Sequence, residues 1–132
     1  MRRLAVLGAT LLLAAPAAHA AATLPHGKVV LQGLDKVTAR VEQIELRVGE
    51  EILFGSLAIT ARACLETPPT EPPESAAFLE IDERESLDER IFSGWMFASS
   101  PGLSALEHPV YDVWVLDCAD PLPAPGGSAT QP

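Results

Sequence analysis

"DKVTARVEQIELRVGE", Asp35 to Glu50, alternates with a period of two. Val37, Ala39 and Val41 fall on one side, with Thr38, Arg40 and Glu42 on the other. Successive strand side chains point to opposite faces, so the pattern predicts a strand with one covered face. The phase slips at Gln43, after which Ile44, Leu46 and Val48 point together, and such a slip predicts a bulge or a tight turn. Gly49 closes the segment. Upstream, "KVVLQG" (Lys28 to Gly33) is a short β-branched run. Downstream, "EILFGSLAITARAC" places Leu57, Ile59 and Ala61 inward and Thr60 and Arg62 outward. "AAFLEID", "RIFSGWMFAS" and "YDVWVLDC" follow. Six or seven short strands without a long helical period predict an all-β fold, a small single-domain β-sandwich or barrel.

The stretch from Phe92 to Trp114 holds Trp95, Trp114 and the single tyrosine, Tyr111. Its two strands are apolar on both faces, which predicts central strands covered on two sides and an aromatic core. Between them, Ser100-Pro101 predicts one short helical turn: a hydroxyl cap, then proline at the first helical position. Leu103 and Leu106, three residues apart, would pack on the sheet, and Pro109 would end the turn.

The amino terminus predicts the compartment. Arg2 and Arg3 precede an apolar run from Leu4 to Ala15 and the small-residue site Ala18-His19-Ala20, the pattern of a cleaved secretion signal over residues 1–20. The first cysteine is Cys64, which argues against a lipid anchor, and no later stretch is long and apolar enough for a membrane helix. The expected organisation is a leader at 1–20, a flexible N-terminus at 21–27, a β domain at 28–118, and a disordered Pro/Gly-rich tail at 119–132. The expected location is the periplasm, as a soluble exported protein.

The chain has 9 basic and 18 acidic residues, a net charge of −9. Cleavage after Ala20 leaves 112 of the 132 residues, and losing Arg2 and Arg3 moves the charge from −9 to −11. Such a chain does not supply the clustered Lys and Arg that nucleic acid requires. Cys64 and Cys118 are the only cysteines, 54 residues apart, and an oxidising compartment predicts a structural disulfide between them. A tryptophan between two cysteines raises the immunoglobulin pattern, but the position two before Cys118 is Leu116 rather than tyrosine.

"TPPTEPPES" (Thr67 to Ser75) reads as a stiff surface connector, because prolines lack the ladder donor. "EIDERESLDER" gathers Glu80, Asp82, Glu83, Glu85, Asp88 and Glu89, matches no calcium loop, and reads as a solvated hairpin tip balanced by Arg84 and Arg90. Ser99, Ser100, Ser104, His108 and Asp112 raise the question of a nucleophilic triad. No G-x-S-x-G elbow accompanies them, and no catalytic residue is assigned. His26 and His108 are the histidines beyond the leader, with His26 expected in a frayed terminus. With the cysteines bridged, three nitrogen or sulfur ligands cannot be assembled, so no metal site and no cofactor are expected.

Four segments, "LQGLDKVTARV", "FGSLAITARAC", "PPESAAFLEI" and "FSGWMFASSPGLSALEHPVYDVWVLDC", resemble an exported alphaproteobacterial family, domain of unknown function 2155, over Lys28 to Cys118. The resemblance implies a Gram-negative periplasmic or envelope location and brings no activity, cofactor or catalytic residue with it. The expected function is a non-catalytic interaction or accessory module that meets an envelope or periplasmic protein. Its expected contact surface is Ser99, Ser100, Glu107, His108 and Tyr111. The alternative is a small-ligand-binding protein or weak enzyme with a pocket near Trp95, Trp114 and the 99–108 loop.

Overall fold

The computed structural model of the protein describes residues 23–85 and 89–123. The expected leader (1–20) and the tail beyond residue 123 lie outside them, as does Asp88. The described residues form seven strands: β1 (Leu24–Asp35), β2 (Arg40–Arg47), β3 (Glu51–Phe54), β4 (Leu57–Glu66), β5 (Ser75–Glu83), β6 (Glu89–Phe97) and β7 (Tyr111–Pro121). All pair antiparallel in one sheet, ordered β2-β1-β4-β5-β6, with β3 beside β4 and β7 beside β1.

The opening stretch resolves into a hairpin. Residues 36–39 form the turn between β1 and β2, so Val37 and Ala39 are turn residues rather than strand residues. The Asp35 carboxylate accepts the N–H groups of Val37 (2.9 Å) and Thr38 (3.2 Å), which fixes the turn locally. The phase slip records this change: Val41 stays exposed, while Ile44 and Leu46 enter the core.

The sheet folds on itself along β1. The outer part of β1 pairs with β2 from Lys28 to Asp35, then Leu24 to His26 cross to β4. On its other edge β1 carries β7 from His26 to Asp35. One leaf is therefore β2-β1-β7 and the other β3-β4-β5-β6. Val29, Leu31, Ile44, Leu46, Val113 and Val115 from the first leaf meet Leu57, Ile59, Leu79, Ile81 and Met96 from the second.

The disulfide closes this fold, and two bulges make it possible. Inward positions on β4 are Leu57, Ile59 and Ala61, so strict alternation would turn Cys64 outward. The β4–β5 register skips Arg62, and the extra residue brings Cys64 inward. On β7 the register skips Leu116, so Cys118 joins Val113 and Val115 on the core face rather than the Trp114 face expected from alternation. Cys64 and Cys118 are bonded with Cα atoms 5.8 Å apart. Strands on either side of a flat third strand would stand about 9.5 Å apart. The bridge thus joins the two neighbours of β1 across a folded sheet.

Several expectations are corrected. β6 and β7 are not central: among the described residues each has one hydrogen-bonded neighbour, β5 and β1 respectively. Their second apolar face is only half-covered, so the core is mainly aliphatic, with Phe54 its buried aromatic and Trp95 and Phe97 each 36% exposed. No helix forms at 100–107 among the described residues; a single turn closes with Leu103 N–H donating to Ser100 O (3.1 Å). Gly102, a poor helix former, follows Pro101 directly, and Leu106 alone is buried while Leu103 is open to solvent. β1 takes in Leu24 to Gly27, expected to be flexible, because His26 pairs with both Cys64 and Pro121, and β7 runs past Cys118 to Pro121.

Candidate functional site

The special side chains of the 98–110 segment separate into an anchored set and an exposed set. Ser56 is the second residue of the two-residue turn between β3 and β4, and Glu83 ends the core-facing series of β5: Ser75, Ala77, Leu79, Ile81, Glu83. Glu83 is only 6% exposed. Its carboxylate accepts from Ser56 Oγ (3.0 Å), from His108 Nε2 (2.8 Å) and from the Glu85 N–H (3.0 Å). The Glu85 amide, then the His108 ring, hold this carboxyl below its ordinary pKa against the opposing effect of burial, with Ser56 helping.

The hydrogen bonds also assign the His108 tautomer. Nδ1 faces the N–H groups of Val110 (3.1 Å) and Tyr111 (3.2 Å), so it accepts and carries no proton. The proton is on Nε2 and is donated to Glu83. In a nucleophilic triad the histidine takes a proton from the serine and is oriented by the carboxylate. Here serine and histidine both donate to one carboxylate, so no imidazole faces the Ser56 hydroxyl and the order of a triad is not formed. Two of the triad candidates are engaged elsewhere: Asp112 pairs with Lys36 (3.1 Å), and Ser99 donates to Glu74.

The rest of the loop is fastened in the same manner. Tyr111 stacks on His108 and meets Phe54 edge-on, with centroids 5.2 and 5.3 Å away. Its ring lies on Gly55, where φ is +57° and an added Cβ would collide with the phenol. Lys36 donates to His108 O (2.7 Å). At the other end, the Glu74 carboxylate accepts from Ser99 and from the Ser75 N–H (3.1 Å). Burial raises the Glu74 pKa, but the Ser99 hydroxyl and amide together with the Ser75 and Ala98 amides outweigh it and hold the carboxyl below its ordinary value.

Of the five expected contact residues, Ser99 and Glu107 are exposed, Ser100 is half-buried, and His108 and Tyr111 are half-buried anchors. They do not form one open patch. Trp95 and Trp114 are not brought together either. Trp95 pairs with Phe78 on the second leaf, rings 5.5 Å apart and edge-on, whereas Trp114 stands opposite Gln32 on the first.

The open feature is the outer face of the second leaf. Register places Leu65, Ala76 and Phe97 in one row across β4, β5 and β6, with Ala63, Phe78 and Trp95 in the next. A cleft of about 290 Å³ lies there, lined by Thr23, Leu65, Ala76, Trp95 and Phe97 with Glu66 and Glu74 beside it. The same face becomes ionic farther along, where Arg62 and Arg90 pair with Glu80 (3.0 and 3.4 Å) and Arg90 with Asp82 (3.0 Å). On the other side of Glu66, a cleft of about 430 Å³ runs beneath the proline loop. His26, 5% exposed rather than frayed, lines it, with Nδ1 donating to Leu24 O and Nε2 facing Glu66, both at 2.9 Å. The loop itself is closed by Thr67, whose hydroxyl donates to Pro72 O and accepts from Glu74 N–H (2.9 Å each).

Sequence reasoning missed Glu83 within an acidic run. The signal was available: period two along β5 puts Glu83 on the face of Leu79 and Ile81. Among the described residues, no helix is long and apolar enough to cross a membrane, and no group of three or more His, Cys, Asp or Glu is placed to hold a metal ion.

A family model described as an uncharacterized protein conserved in bacteria (DUF2155) matches residues 29–118. That span contains both cysteines, the Ser56–Glu83–His108 group and the whole of β6. An uncharacterized protein of Rickettsia prowazekii (strain Madrid E) is 36% identical over 100 residues. The alignment covers 70% of this chain, which spans 60% of the relative's length. No solved structure matches.

Proposed function

The chain belongs to the DUF2155 family of bacterial proteins, and we propose that it is a non-catalytic interaction module of the cell envelope, exported to the periplasm by the leader at 1–20. The observation that carries this reading is the contrast between its polar and apolar groups. Ser56, Glu83, His108, Ser99 and Glu74 are consumed in holding loops. Leu65, Trp95 and Phe97 instead leave an apolar face open to solvent. Exposed aromatics in a contiguous patch favour protein contact. His108 and Tyr111 hold the loop that follows β6, and Glu107, beside His108, stands at the Glu83 end of β5, away from Phe97.

The test is in-cell cross-linking and affinity capture of the tagged protein, with Phe97→Lys beside a Val37→Lys control on the exposed β1–β2 turn. The reading expects one envelope protein to be recovered with the wild type and the control and lost with Phe97→Lys. Release by osmotic shock with an amino terminus at Ala21 checks the compartment. A second reading, a small-ligand binder, is favoured by the apolar cleft beside Trp95. It expects saturable quenching of Trp95 fluorescence by an apolar metabolite, abolished by Phe97→Lys.

A further inference from the structure

The open edge of β6 says what kind of segment this surface takes. β6 pairs with β5 along its length, and among the described residues no strand occupies its other edge. Such an edge presents unpaired N–H and C=O groups, which natural proteins usually shield with charge, proline or a bulge. In β6 those devices stand at its beginning only: Glu89, Arg90, and the register skip at Ile91. From Phe92 to Phe97 the edge carries neither charge nor proline, and this unshielded part is the one that bears Trp95 and Phe97.

Charge narrows the occupant. Glu66, Glu71 and Glu74 border the two clefts at this end of the sheet. Lys28, Lys36, Arg40, Arg62, Arg84 and Arg90 pair elsewhere, with Glu45, Asp120, Asp112, Glu42, Glu80, Glu51 and Asp82, and Arg47 stands on β2 in the other leaf. Glu74 is held as an anion by its Ser99 and Ser75 hydrogen bonds. The whole chain carries −9, which disfavours a second copy along the same edge. Resting on the interaction-module reading above, we propose that β6 receives, by strand addition, an extended basic segment of a partner protein. Its alternate apolar side chains would extend the Trp95–Phe97 face, and its Lys or Arg residues would meet the Glu66–Glu74 border. Backbone pairing along an open edge gives affinity and alternate side chains give selectivity.

The test uses the mature protein and a peptide of alternating Lys and Val, nine residues long to match β6, with a Glu-for-Lys counterpart. The basic peptide is expected to slow amide exchange within 92–97 at least about tenfold, and to bind at least about tenfold more weakly to Phe97→Lys. Trp95→Lys is the second variant, and an unchanged unfolding midpoint qualifies either one. Equal binding of the acidic peptide, protection outside β6, or a Trp95 response without β6 protection would overturn the proposal. So would concentration-dependent protection of β6 without peptide, which marks a second copy. If Phe97→Lys abolishes capture in cells while neither peptide protects β6, strand addition fails and the contact surface stands. If Phe97→Lys changes neither, both fail.

Discussion

Replacing Cys64 and Cys118 together by alanine tests how the folded sheet is held. The two residues lie on the strands that flank β1, 54 positions apart in sequence. Closing a loop of that size removes chain entropy worth about 4 kcal/mol from the unfolded ensemble at 25 °C. Domains of this size have net stabilities of roughly 5–15 kcal/mol, so the bridge supplies a large fraction. With a urea dependence of roughly 2 kcal/mol per molar, the unfolding midpoint should fall by about 2 M. The assay is equilibrium urea unfolding followed by Trp95 and Trp114 fluorescence, for wild type, the double variant, and wild type under reductant. Reduced wild type and the double variant should coincide. A loss below about 1 kcal/mol would refute the reasoning, because the unfolded chain would then not be appreciably constrained by the bridge.

Deleting Leu116 should leave the disulfide intact, since it removes the bulge residue and keeps Cys118 in phase with Val113 and Val115; a non-reducing mass measurement showing free thiols would contradict the bulge account. Gly55→Ala should destabilise the protein strongly, because the residue combines positive φ with the Tyr111 ring against its open side. Thermal unfolding checks it, and an unchanged midpoint would show that Tyr111 does not rest there. Stability should fall in acid. Native Asp35, Glu74 and Glu83 have lowered pKa values, from 3.8 for Asp35 and 4.5 for each Glu. Their contribution is therefore complete above these unfolded values and is lost as pH falls through the lower native ones. Glu83→Gln should flatten the part of that decline due to Glu83, and denaturant titrations from about pH 3 to 7 decide it.

Local alternation made the strand content legible, since Leu57, Ile59 and Ala61 or Ile44 and Leu46 declare a covered face within a few residues. Neighbour order was not legible. β6 and β7 look like central strands because both faces are apolar, but an apolar face can equally be left open for contact, as Trp95 and Phe97 are. The inward turn of Cys118 was hidden for another reason: a bulge is a feature of pairing between strands, and nothing in "VWVLDC" alone reveals which residue is skipped. The candidate site was legible as a concentration of special residues and not as an arrangement. His108 meets Glu83, 25 positions away, through the β5–β6 hairpin, so the contact that defines its role is set by topology rather than by the serines beside it.

The central claim is that the outer face of β6 is where this protein meets its partner. The most direct measurement is site-specific photo-cross-linking in living cells, with the probe residue placed at 97 and, in separate strains, at exposed positions 37 and 53. The account predicts a single discrete adduct from position 97 and none from the other two. Equal adducts from all three positions, or an adduct from 37 or 53 alone, would contradict it.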